Sequence, residues 1–325
     1  MAISTEAPVL RAPAAGRVEI SGRLYKGIPC RIACAGSEAI VRAGWDLLLR
    51  IDDIFNVYRA DSELGAINAA GPGRHACSPW LHACLSLARE AQEVSDGAWS
   101  AAMLPLVRLW RSAGGSGPDP AALAAAVAAA DPGAWTLHRD AVTIHRPLAF
   151  DLGGLAKGFA VDRVVEHLRE AGVSDYLVQV GGETACAGTA PSGGRHRIGI
   201  PHPDDPDQAF CAIIQDPGTG LCGSTSGSYR QGLTTTAGAA HHIIDPRTGW
   251  PMPASAASLT LVFRGPGRNA WADGLTTALT VQGPQALAGV CARSGAVGFG
   301  LRREATGELL ASTTAGWAAL LTDDG

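Results

Sequence analysis

The chain has 325 residues, 46% of them hydrophobic and 17% charged, with a formal net charge of -4 at pH 7. This length and apolar content suit a folded protein with a sizeable core and exclude general disorder. The acidic balance leaves no basic surplus to hold a polyanion, which argues against nucleic acid as a partner.

Residues 1–16 read as a loose tail without an apolar run of the kind an export signal needs, and no later stretch is long and apolar enough for a membrane span. A cytoplasmic protein is the expectation. From residue 17, RVEISGRLYKGIPCRIACAG alternates like a pair of strands, and Ile40, Trp45, Leu48, Ile51, Ile54 and Phe55 form a helical stripe over 37–57. In RADSELGAINAAG, Asp61 or Ser62 is placed to cap a short helix before Gly71-Pro72-Gly73 breaks it. A further helix runs from Pro79 to Val94, with Ser78 as N-cap and proline in the first helical position. A short one covers Pro105–Trp110.

Residues 111–134 combine a Gly/Ser/Pro turn with an alanine run that is helical by propensity but has little side chain to pack. They read as a peripheral excursion. Beyond Asp140, AVTIH, LAF, DYLVQV, HRIGI, FCAII, SLTLVF and AVGFGL are strand candidates. AKGFAVDRVVEHLREAG, NAWADGLTTALTV and PQALAGVCARSG are helical, and a hairpin ending near Ala311 closes the chain. Helices and strands mix without a regular βαβ repeat, so the fold class is α+β, with residues 17–325 forming a single domain. The eight cysteines, at 30, 34, 77, 84, 186, 211, 222 and 291, lie in apolar or alternating segments and read as buried, reduced thiols. Cys30 and Cys34 share a strand face, yet no nearby Cys or His completes a four-ligand set.

Three small-residue turns carry chemical interest. In DLGGLAKGF a strand end meets Gly153 and Gly154, and a helix begins; bare backbone and unpaired N–H groups suit either a tight turn or phosphate oxygens, and Lys157 adds a mobile cation. Neither the dinucleotide fingerprint nor a P-loop matches. VQVGGET repeats the arrangement and ends on Glu183, and CGSTSGSY offers hydroxyls, Ser226 among them, to a polar ligand. Asp273 and Thr277 sit at i and i+4 on one helix face, where they hold a hard cation or else serve the helix itself as a cap and a back-bonded hydroxyl. In AAHHIIDPRTGWP two histidines precede an Asp-Pro turn closed by Arg247, and an imidazole titrates near neutrality.

In order along the chain, DLGGLAKGFAVDRVVEHLREAGV, YLVQVGGE, GSTSGSY, HHIIDPRTGWP and ADGLTTAL resemble the ApbE family of FAD:protein FMN transferases. RIDDIFNVYRADSELGAIN is similar to the helix and turn ahead of that family's flavin site, so the resemblance spans roughly residues 40–285. It implies an ApbE-like fold and a magnesium-dependent enzyme that splits the FAD pyrophosphate and attaches FMN through a phosphoester to a serine or threonine of an acceptor flavoprotein. It further implies that magnesium is held by the Ala156 carbonyl, Asp273 and Thr277. Tyr58 and Trp99 fall on the flavin side, with Gly153, Gly154, Lys157, Phe159, Glu183, Ser226 and Ile244 around the dinucleotide, where Arg247 either contacts phosphate or only braces its loop. His242, rather than His241, matches the family histidine and is the candidate base for the acceptor hydroxyl, with Asp245 as its possible orienter.

Two departures accompany the resemblance. The Met-Gly-Thr triplet of relatives is absent from GRLYKGIPCRI, and Trp99 and Ser100 in GAWSAAMLPL stand where phenylalanine and aspartate are usual. Tryptophan can stack as phenylalanine does, whereas serine cannot replace a carboxylate. Two alternatives follow: an FAD pyrophosphatase with water as acceptor, or a flavin-binding protein that has lost or altered transfer.

Overall fold

The computed structural model describes the chain apart from residues 1–6, 15, 26, 114–116, 192, 206–207, 215–218, 228–231, 236–237, 254–255 and 322–325. The first third contains strands β1 (Val9–Ala14), β2 (Arg17–Leu24) and β3 (Ile28–Ala35), helices α1 (Glu38–Phe55) and α2 (Glu63–Ala70), β4 (Gly73–Ala76) and α3 (Pro79–Val94). Next come α4 (Leu104–Ala113), α5 (Pro120–Ala129), β5 (Trp135–Leu137), β6 (Ala141–Ile144), α6 (Ala156–Glu170), β7 (Tyr176–Val180), β8 (Glu183–Ala187), β9 (Arg197–Pro201) and β10 (Ala209–Ile214). The last third holds β11 (Leu221–Gly227), β12 (Gly232–Thr235), β13 (Gly238–Ile244), β14 (Pro251–Pro253), β15 (Ala256–Arg264), α7 (Asn269–Gln282), α8 (Leu287–Ser294), β16 (Val297–Arg303) and β17 (Leu309–Thr313).

A nine-stranded sheet in the order β1-β2-β3-β7-β8-β11-β15-β16-β17 organises the protein. Every neighbouring pair in it is antiparallel. Its strands alternate between two covered faces. In β15, Leu259, Leu261 and Phe263 join the main core, which also takes the buried stripes of α1, α3, α6 and α7. Val262 points the other way, into a second core with Phe299, Leu301, Ile200 and Trp317. Burial on both sides explains why SLTLVF reads as a continuous apolar run.

The helix starts follow their sequence signals. Ser62 Oγ accepts from Gly65 N and Ser78 Oγ from Leu81 N, each filling one orphan donor of the first turn. Three readings are corrected. Residues 9–14, taken as tail, form β1 and pair with β2. Leu148–Phe150 forms no strand; instead the Asn68 amide bridges it, donating to Phe150 O at 2.9 Å and accepting from Phe150 N at 2.7 Å. The alanine run forms α5, capped by Asp119, but it is more than a surface appendage. Ala126 and Ala130 are buried with Leu106, Trp110 and Ile244, so small side chains permit close approach rather than leaving nothing to pack.

All eight cysteines are free thiols. Burial pushes Cys30, Cys186 and Cys222 up to about 12, which keeps them protonated. Among the described residues no helix is long and apolar enough to cross a membrane.

Candidate active site

The crossing of α6 and α7 sets the site. Gly158 lies against the first turn of α7 so closely that a Cβ there would stand 2.2 Å from the Asn269 carbonyl oxygen. One turn further along α6, the Asp162 carboxylate accepts from Asn269 N at 3.0 Å and Ala270 N at 2.9 Å, and from the Asn269 side chain at 3.2 Å. A side chain from one helix therefore satisfies the orphan donors that begin another, and the register between the two is fixed.

That register brings Asp273 over the start of α6. Asp273 is 1% exposed, and its Oδ2 accepts from Gly158 N at 3.2 Å. Lys157 Nζ donates to Asp273 Oδ1 and Oδ2, both at 3.0 Å, and to the Gly153 carbonyl at 2.8 Å. Glu183 stands on the far side, its Oε1 3.6 Å from the same ammonium and 3.2 Å from the Ser224 hydroxyl. Among the described residues the buried Oε2 of Glu183 has no hydrogen-bond partner. Burial first, and then the Asp273 charge, push the Glu183 carboxyl up to about 8, with Lys157 pulling the other way. For Lys157, burial opposes the charged form, but Asp273 and Glu183 outweigh it and raise its pKa.

These groups form one end of a cleft of about 560 Å³. Tyr58, Trp99, Gly153, Gly154, Ala156 and Lys157 line it. So do Glu183, Ser226, His242, Ile244, Asp273 and Thr277, which the chain brings in from four different elements. Asp273 and Thr277 share the cleft face of α7, as their spacing requires. Gly154 is tightly enclosed: a Cβ would meet Trp99 Nε1 at 3.1 Å and Thr277 Oγ1 at 3.2 Å, so those side chains would have to give way slightly. The side chain of His241 and the residues Ser228 and Tyr229 lie outside the described residues.

Two expected ligand contacts are corrected. Phe159 is 3% exposed and presents its edge to Phe55 and Trp80, with ring centroids 5.8 and 6.3 Å away. It follows Lys157 by two helical positions, about 200° around the axis, and so faces the core. Arg247 lies outside the cleft lining, because its Nε and Nη2 close on Asp245 Oδ1 and Oδ2 at 2.9 Å each. The Asp245 carboxylate also accepts from Arg247 N at 2.9 Å, so it braces the turn. The far side of that turn is held by Trp110 Nε1, which donates to Gly249 O at 2.7 Å.

Sequence reasoning passed over Arg111, Asp52 and Asp151, which also line the cleft. Arg111 Nη1 donates to the Tyr58 hydroxyl at 2.8 Å and so ties two residues of the lining together. No sequence signal marked it, since it opens the segment read as peripheral. Asp151 accepts from Gly153 N at 2.9 Å, an Asx turn that the Asp-Leu-Gly-Gly run does announce.

Among the described lining residues, three carboxylates (Asp52, Asp151, Asp273) and the raised carboxyl of Glu183 face two cations (Arg111, Lys157). A polyanionic ligand could settle here only with added positive charge. The available donors at the Asp273 end are oxygens: a carboxylate, the Thr277 hydroxyl, turn carbonyls and the unpartnered Glu183 Oε2. Such a set fits a hard divalent cation such as magnesium. Among the described residues no three His, Cys, Asp or Glu side chains form a metal cluster, so backbone and ligand oxygens would have to complete the shell.

Comparison with known proteins bears on the family and the fold. The sequence model of the ApbE family matches residues 24–298. The chain belongs to the ApbE family. Among its ApbE relatives are two FAD:protein FMN transferases of Klebsiella pneumoniae (strain 342). One is 32% identical over 69% of this chain and 71% of its own length; the other is 31% identical over 84% and 79%. The flavin transferase ApbE from Vibrio cholerae superposes with a TM-score of 0.80 at 26% identity, covering 94% of this chain and 99% of its own. The apo flavinyl transferase ApbE of Pseudomonas stutzeri gives 0.78 at 26% identity, covering 99% of both chains. The ApbE fold thus extends across the full nine-stranded sheet described above.

Proposed function

We propose that the protein is an FAD:protein FMN transferase that uses magnesium and attaches FMN to a serine or threonine of an acceptor flavoprotein. The observation that carries this reading is the joining of Asp273, Thr277, the Gly153–Ala156 turn and His242 in one cleft of a size suited to a dinucleotide. The family membership supports the same chemistry.

The reaction needs the acceptor oxygen to attack the phosphorus of the FMN half while the bond to the AMP oxygen breaks. In this reading His242 takes the hydroxyl proton, and AMP departs with the electrons of the broken bond. Asp273, Thr277 and the Ala156 carbonyl would hold magnesium, which when bound offsets negative charge on the phosphoryl oxygens. Gly153 and Gly154 let backbone approach the diphosphate without a Cβ in the way. Tyr58, tied to Arg111, and Trp99 offer aromatic surface to the isoalloxazine ring. Ser226 and the apolar Ile244 shape the wall beside His242.

Incubation with FAD, magnesium and a candidate acceptor, followed by mass spectrometry, tests the proposal. An acceptor peptide heavier by one FMN, with AMP in equal amount, is the expected result. Free FMN and AMP in the presence of acceptor would make it a pyrophosphatase, and intact FAD under all conditions would make it a binding protein.

A further inference from the structure

The Lys157 ammonium is surrounded by oxygen on several sides. It donates to the Gly153 carbonyl at 2.8 Å and to both Asp273 oxygens at 3.0 Å, with Glu183 Oε1 at 3.6 Å. These are the same kind of donors, at the same end of the cleft, that fit a divalent ion. A lysine spending its charge on Asp273 is not free to meet a phosphate, and Asp273 is not free to meet a metal.

We propose that Lys157 fills the cation seat of the ligand-free protein as a stand-in ion, and that a divalent metal enters only as this side chain withdraws. The inference rests on the reading of the cleft as a metal and dinucleotide site. Magnesium sits about 2.0–2.1 Å from its oxygens, so an ammonium already within hydrogen-bond distance of both Asp273 oxygens competes sterically and by charge. Lysine can yield, because its charge rides on a flexible four-carbon stem. Its side chain is 25% exposed and lines the cleft, which leaves a path toward an arriving diphosphate. A dinucleotide offers Lys157 new oxygens at the moment the metal needs the old ones. Metal and dinucleotide therefore load together, and each raises the affinity for the other by the same factor. Beside the Lys157 ammonium the buried Glu183 Oε2 has no hydrogen-bond partner among the described residues.

The test is calorimetric titration with manganese chloride alone, then with FAD present, on the wild-type protein, Lys157→Met, Lys157→Gln and Arg111→Met. Removing the stand-in should tighten metal-alone binding by about tenfold or more in both Lys157 variants, within the usual range of coupling between sites. The FAD-dependent gain in manganese affinity should shrink in those variants. Arg111→Met removes equal charge from the cleft wall and should leave metal-alone affinity close to wild type. Metal-alone binding that is unchanged or weaker in both Lys157 variants overturns the inference, and so does equal tightening in Arg111→Met, which would reduce it to overall charge. If wild type binds manganese with FAD, either failure leaves the reading of the cleft standing. If no protein binds manganese even with FAD, that reading fails and the inference with it. Should the Lys157 variants not fold in metal-free buffer, refolding in excess manganese chloride decides: recovery supports the stand-in role, and no recovery overturns it.

Discussion

Gly158 and Asn269 meet backbone to backbone, with no space between them for even one carbon: the Cβ of an alanine at 158 would lie 2.2 Å from the Asn269 oxygen. This contact sets the distance between α6 and α7, and through it the approach of Lys157 to Asp273. Gly158→Ala is expected to cost about 3 kcal/mol, at the upper end of ordinary overpacking, because backbone rather than a flexible side chain must move. Urea unfolding measures the loss. A variant as stable as wild type would show that the helices can part without penalty, and the argument from their crossing would fail.

The family resemblance puts Ser100 where an aspartate is expected. Its hydroxyl donates to the Ala130 carbonyl at 3.0 Å and accepts from Ala102 N at 3.2 Å, in a position 3% exposed. A carboxylate here would turn an acceptor toward the Ala130 carbonyl. Ser100→Asp is therefore expected to destabilise by about 2–4 kcal/mol, the cost of burying an unpaired charge, rather than to restore a family contact. Ser100→Ala should cost only about 1 kcal/mol. Thermal unfolding of the two variants orders them, and an Asp variant more stable than the Ala variant would contradict this account.

His242 lines the cleft on the strand that ends at Ile244. On the proposed mechanism, replacing His242 by alanine should lower single-turnover FMN transfer by about a hundredfold or more while FAD binding changes only a few-fold. Rates and affinities move independently in this experiment. Loss of FAD affinity with the transfer rate of bound FAD preserved would make His242 a ligand contact instead.

Stability should also respond to pH through His196, far from the cleft. The imidazole is buried, with Nε2 3.1 Å from the Ala187 carbonyl oxygen, and burial lowers its pKa below the usual 6.5 despite that partner. A histidine with a depressed folded-state pKa binds its proton more readily when the chain unfolds. Its contribution is thus present above about pH 6.5 and is lost as pH falls through the lower folded value. Unfolding free energies at pH 7.5 and pH 5 should differ less in His196→Gln than in wild type. An unchanged difference would assign the pH dependence to other groups.

Local features of this fold are readable in the sequence, and long-range ones are not. The apolar stripe of α1, the Ser62 and Ser78 caps and the i, i+4 pair on α7 depend on spacing within one element, which a single chain displays. The contact of Lys157 with Asp273 joins residues 116 positions apart and exists because Gly158 and Asp162 fix how two helices cross. Nothing local specifies that crossing. The family resemblance put Phe159 and Arg247 beside the ligand, but helical rotation carries one into the core and Asp245 captures the other. Arg111 was missed for the opposite reason: low-complexity sequence beside it hid a residue that faces Tyr58.

The alanine helix α5 changes how the His242 segment should be regarded mechanically. Gly249 has φ 74°, and the position of its missing Cβ is already taken by Leu123 and Val127, each 2.7 Å away. Ile244, two residues beyond His242, shares a buried cluster with Ala126 and Ala130. The stretch with the least chemical character in the chain is therefore a shim beneath the histidine strand. Shortening it would tilt that strand without touching a single reactive atom.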